Sequence, residues 1–125
     1  SPAPRPIPVP VPKPAGAPYA ELLVDGSWGA VTTKALQHWL TKTANYRGYI
    51  DGDFGPMTKR ALQNRLAALG FYKGYLDGDW GPVSKRALQN YLKSLGLYNG
   101  YIDGQVGPVT VRALQTFLNS QRGTW

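Results

Sequence analysis

From residue 24 onward, apolar and polar positions recur with a period of 26 residues. Four segments read VDGSWGAVTTKALQHWL (24–40), IDGDFGPMTKRALQNRL (50–66), LDGDWGPVSKRALQNYL (76–92) and IDGQVGPVTVRALQTFL (102–118). Asp25, Asp51, Asp77 and Asp103 are evenly spaced, with no insertion or deletion between them. Such self-similarity predicts a repeat architecture, in which one supersecondary unit cannot bury its own apolar face and must pack on a neighbour.

Residues 45–70 show how one unit works. Asp51-Gly52 is a turn signal, followed at once by Gly55-Pro56. Proline suits the first helical position, where its missing N–H would lack a partner anyway. Met57, Ala61, Leu62, Leu66 and Leu69 then fall at spacings of three to four and predict one apolar stripe. Gly70 is placed to end the helix in a left-handed conformation. Each unit is therefore a tight glycine loop and a helix of about 14 residues, within the ordinary range of helix lengths. Alanine at 35, 61, 87 and 113 lies in the stripe and would let helices approach closely. The expected fold is all-α: four loop–helix units, about 19–44, 45–70, 71–96 and 97–122, stacked into one compact helical body. The first unit lacks the proline (Ala30) and the stop glycine (Ala44), and the fourth has Val106 where the others carry Trp28, Phe54 and Trp80. Irregular end units are expected of a stack.

Composition changes this picture at the N-terminus. Residues 1–18, SPAPRPIPVPVPKPAGAP, have proline at nearly every second position and can form neither a helix nor a central strand. They read as a polyproline-type linker of roughly 50 Å at about 3.1 Å per residue, hung from an N-terminal module that precedes this sequence. The remaining 107 residues suffice for one compact domain. There is no cysteine, hence no disulfide framework or cysteine metal site. No stretch approaches a membrane span, and neither a signal peptide nor an export route is encoded in these residues. Net charge is +7, of which Arg5 and Lys13 in the linker supply two, so the body favours anionic partners.

Candidate chemistry follows the same period. Tyr46, Tyr72 and Tyr98 form one tyrosine series; Tyr49, Tyr75 and Tyr101 form a second. Aromatic rings stack on the apolar faces of sugars, and the phenol adds a hydrogen bond. The competing reading places these rings over the seams between units. Lys34, Arg60, Arg86 and Arg112 occupy one position per unit and could meet carboxylates or phosphates, arginine being suited to bidentate contacts. For Trp28, Phe54 and Trp80 the structural reading is preferred, since Val106 takes their place in the fourth unit without strain if the position is buried. Gln37, Gln63, Gln89 and Gln115 read as partners for backbone groups of a neighbouring glycine loop. Thr32, Thr58, Ser84 and Thr110 read as local partners at helix starts. Asp51-Gly-Asp53 shares the first spacings of a calcium loop but lacks the later ligands, so no metal is expected. His38 is the only histidine and Glu21 the only glutamate, which leaves no catalytic set and no cofactor site.

DGDFGPMTKRAL and DGDWGPVSKRAL resemble the D-G-x-F-G-P-x-T-x-x-A-V/L signature of the peptidoglycan-binding-domain family of bacterial and phage cell-wall lytic enzymes, endolysins among them. LGFYKGYLDG and LGLYNGYIDG are similar to the approach to that signature, and the likeness recurs from Tyr19 to about Arg122. The resemblance implies an all-helical, non-catalytic module that binds cell-wall carbohydrate outside the cell and tethers an N-terminal hydrolase domain. It implies peptidoglycan as partner, with secondary wall polymers as a further anionic ligand, and neither membrane nor nucleic acid. Two departures stand out: glutamine precedes the family's usual Phe-Gln position, and four near-equal units replace the usual unequal helices. More than one groove is therefore expected. The rival reading is a basic helical-repeat interaction module for a protein, an anionic polymer or nucleic acid.

Overall fold

Proline at the first helical position sets the start of three of the four helices. The computed structural model describes residues 17–125 and contains α1 (Ala30–Thr43), α2 (Pro56–Ala68), α3 (Pro82–Ser94) and α4 (Pro108–Gln121), followed by a 3-10 turn, Arg122–Thr124. Most of the expected proline linker lies outside the described residues. Gly70 ends α2 at φ 90° and Gly96 ends α3 at φ 78°. After α2, Phe71 N–H donates back to Leu66 O at 2.9 Å and Gly70 N–H to Ala67 O at 3.0 Å, which satisfies carbonyls left free at the helix end. Unit 1 has no glycine there. Asn45 takes the left-handed conformation instead, at φ 57°, as asparagine tolerates better than most residues.

The helices do not form an open stack. α1 packs against both α2 and α4, and α3 packs against the same two helices, so the four units close into a ring. Units 1 and 4, irregular as the end units of a stack would be, are not ends: each packs on two neighbours. Leu36, Leu40, Leu62, Leu66, Leu88, Leu92, Leu114 and Leu118 are fully buried, two from each helix, around one shared core. The four stripe alanines are buried too. Met57 and Val83 are not: they are 59% and 55% exposed, because the first helical turn projects beyond the core.

Two aromatic clusters join side chains from different units. Trp28, Phe54 and Trp80 meet with centroids 4.8 Å (Trp28–Phe54), 5.2 Å (Phe54–Trp80) and 6.5 Å (Trp28–Trp80) apart. They pack on the core as expected of structural rings, but remain only half-buried. The second cluster comes from one repeat position that the pattern had not marked: Trp39, Tyr91 and Phe117, with centroids 5.0 to 6.5 Å apart. Arg65 is the fourth member. Its guanidinium carbon sits 5.7 Å from the Trp39 ring centre, and its Nε is buried with no hydrogen-bond partner. A cation over an aromatic face recovers part of that desolvation.

The seam between units 4 and 1 has no covalent link, and contacts near the two ends of the described chain close it. Tyr19 hydroxyl donates to Leu118 O at 2.8 Å, and Arg122 Nε donates to Tyr19 O at 3.0 Å. Asn119 pairs with the backbone of Leu22 in both directions, at 2.7 and 3.0 Å. Lys42 Nζ donates to Thr124 O at 2.7 Å and lies 4.6 Å from the Trp125 ring centre. His38 stacks on Tyr19 at 6.1 Å, and burial lowers its pKa.

Candidate functional site

Each seam is held by one buried glutamine. Gln63 on α2 accepts Gly78 N–H at 2.9 Å on Oε1, while its Nε2 reaches Asp79 O at 2.8 Å and Ser84 Oγ at 2.9 Å. Gln37 and Gln89 repeat this with Gly52 and Gly104. Gln115 does so across the ring closure, accepting Asp25 N–H at 3.1 Å and Gly26 N–H at 3.0 Å. The glutamines thus satisfy the glycine loop of the next unit, as their chemistry suggests. The buried hydroxyls of Thr32, Thr58, Ser84 and Thr110 are not merely local: each accepts from the glutamine of the preceding unit.

The loop glycine is required by space as well as by conformation. Gly78 has φ 75°, and a Cβ there would lie 3.0 Å from Pro56 O of the preceding unit. The aspartate before it closes the turn. Asp51 Oδ1 accepts Asp53 N–H at 2.9 Å and Gln37 Nε2 at 3.0 Å. The backbone bond from Asp53, followed by the Gln37 bond, holds the Asp51 carboxyl below the usual range. Asp25, Asp77 and Asp103 are lowered too, each chiefly by the backbone N–H two residues on. These carboxylates are occupied as turn acceptors. Among the described residues no three His, Cys, Asp or Glu side chains gather in a metal-binding group.

The two tyrosine series separate. Tyr46, Tyr72 and Tyr98 are buried, and each hydroxyl donates to the carbonyl three residues on, at 2.9 Å for Tyr46–Tyr49 and 2.5 Å for Tyr98–Tyr101, with Tyr72–Tyr75 paired likewise. Tyr46 also joins Thr58 and Gln37 in the seam. Tyr49, Tyr75 and Tyr101 point outward, 86%, 86% and 87% exposed. Arg60, Arg86 and Arg112 lie on the exposed helix faces. Each is near enough to the turn aspartate of the next unit to help lower its pKa.

Unit 2 brings these outward residues to a groove. A concave region of 430 Å³ is lined by Tyr46, Arg47, Pro56, Met57, Arg60 and Asn64, among others, with Leu76 of unit 3 at its edge. It has two arginines in its wall and no carboxylate. A second region of 500 Å³ shares Tyr46, Arg47, Pro56 and Met57 and continues past Tyr49 to Asp51 and Asp53. Both volumes fall in the range of small-ligand sites, roughly 300–1,000 Å³. Of the lining residues, Tyr46, Tyr49 and Arg60 were marked by the repeat pattern. Arg47, Met57 and Asn64 were not marked as ligand contacts, although Arg47 and Lys73 stand in register beside Tyr49 and Tyr75.

A groove equivalent to the second of these regions exists in unit 1 with other chemistry. It is lined by Glu21, Leu23, Asp25, Ser27, Ala30 and Val31, each 26 residues before its counterpart in unit 2. Glutamate replaces Arg47, leucine replaces Tyr49, and serine replaces Asp53.

No curated protein and no solved structure matches the chain significantly. One family does match over part of it. Residues 84–118 cover most of α3, the loop that Gln89 latches, and α4 as far as Leu118; over these residues the chain is similar to the family of putative peptidoglycan binding domains.

Proposed function

We propose that this domain is a non-catalytic module that binds bacterial peptidoglycan and tethers a hydrolase domain to the wall through the proline-rich segment. The unit 2 groove carries the reading. An outward tyrosine face beside two arginines suits a ligand that combines sugar rings with acidic groups, and peptidoglycan offers both in its glycan and its peptide stems. Tyr49 supplies a stacking platform. Arg47 and Arg60 supply charge-assisted bonds to stem carboxylates. The turn aspartates are spent on backbone N–H groups and the lone histidine lies in the closing seam, which supports binding without catalysis. Tethering raises the local concentration of the attached enzyme at its substrate.

The test is co-sedimentation with purified sacculi, with and without teichoic polymers, alongside assays for released reducing sugar and amines. Binding to bare sacculi without product release is the expected result. Binding only when the anionic polymer is present, and lost as salt rises, would move the ligand to that polymer. Product release would overturn the non-catalytic reading.

A further inference from the structure

The structure shows a groove in unit 2 and, in part, in unit 1; the sequence register shows which other units carry its chemistry. Unit 3 keeps it position by position: Lys73 for Arg47, Tyr75 for Tyr49, Asp77 and Asp79 for Asp51 and Asp53, Arg86 for Arg60, Asn90 for Asn64. Tyr75 is as exposed as Tyr49, and Lys73, Arg86 and Asn90 are exposed as well. Unit 4 retains Tyr101 and Arg112 but has Asn99, Gln105 and Thr116, so it lacks the second cation and the second carboxylate. Unit 1 has Glu21 where the cation stands, which would repel an acidic stem, and Leu23 where the platform stands.

We infer that the domain holds two equivalent sites, on units 2 and 3, each for one N-acetylated amino-sugar disaccharide bearing an acidic peptide stem. The inference rests on the peptidoglycan reading above and specifies its stoichiometry. Successive units in a closed ring of four are turned by about a quarter of a circle, so the two sites face different directions and take two separate ligands. On a wall, where ligands are fixed close together, two sites joined by a rigid ring bind far more tightly than either alone.

The experiment is a titration of the 125-residue chain with a soluble disaccharide–peptide, followed by amide chemical shifts, next to sacculus co-sedimentation. Two groups of amides, in 47–64 and 73–90, should shift with similar midpoints, leaving 21–38 still. Arg47→Ala with Tyr49→Ala should silence the first group without moving the second midpoint, and lower sacculus affinity at least tenfold; Lys73→Ala with Tyr75→Ala should do the converse. These side chains are exposed, and an unchanged amide spectrum elsewhere checks the fold. Shifts confined to one group, or spread over all four units, would overturn the two-site assignment while wall binding stands. Sacculi bound with no shift in either group would overturn it as well. Failure to bind sacculi at all would remove the peptidoglycan reading and this inference with it.

Discussion

Tyr72 and Tyr75 stand three residues apart in one loop, joined by a hydrogen bond from the first hydroxyl to the second carbonyl, yet they belong to different regions of the molecule. Tyr72 is 6% exposed and lies in the seam; Tyr75 is 86% exposed and lies on the rim. The seam is nearly invariant around the ring. All four glutamines, all four turn aspartates and all four turn glycines recur, because each must meet the same backbone groups of the next unit. The rim varies: arginine, lysine, asparagine and glutamate occupy one position in the four units. Closure fixes the seam's chemistry; nothing in the fold fixes the rim's. A ligand is therefore sought where the repeats differ without cost to the ring.

The strongest way to break this division is to cut the seam. Gln115→Ala strands the N–H groups of Asp25 and Gly26 at the one seam with no covalent link. Two partly buried donors left unpaired, with the lost bonds of the buried Gln115 side chain, predict a loss of about 1–3 kcal/mol in denaturant unfolding. A change under about 0.5 kcal/mol would mean that Gln115 does not close the ring.

Acid tests the same seam more gently. Asp25, Asp51, Asp77 and Asp103 have pKa values lowered below the ordinary 3.8, first by a backbone N–H in each case. A lowered carboxylate contributes stability above its unfolded pKa and loses it as pH falls through the folded value. Melting temperature should hold steady at mildly acidic pH, as far as these groups govern it, and fall below about pH 4, where the unfolded chain takes up protons first. Asp77→Asn should flatten part of that fall. A melting temperature indifferent to acid would show that these turns contribute no pH-dependent stability.

Much of the ring was legible in the sequence. The constant register marked the units, Pro56, Pro82 and Pro108 marked the helix starts, and Gly70 and Gly96 marked two ends. The glutamines were readable as loop partners because a helix residue with both donor and acceptor suits a turn that offers both. Closure was not legible, since a 26-residue period fits an open stack as well as a ring, and the irregular first and last units looked like caps. The cluster of Trp39, Arg65, Tyr91 and Phe117 stayed hidden for a related reason: its repeat position holds an arginine among three different aromatic rings, and only the closed ring brings them into contact. The two tyrosine series looked alike because each alternates with glycine and charge; only the seam shows that the first turns inward. Arg47 was overlooked because its counterparts change sign, which is the property that now sets the unit 1 and unit 2 grooves apart.

The most direct measurement compares the two tyrosine series. Tyr49→Ala with Tyr75→Ala should leave the melting temperature within about 3 °C of the native domain, as exposed substitutions usually do. It should weaken sacculus binding by about tenfold or more, from two lost ring contacts of about 1 kcal/mol each. Tyr72→Ala should do the reverse to stability, costing about 3–5 kcal/mol as a buried aromatic. Undiminished sacculus binding by the folded Tyr49→Ala, Tyr75→Ala protein would contradict the account, because the rim would then not be where the wall is held.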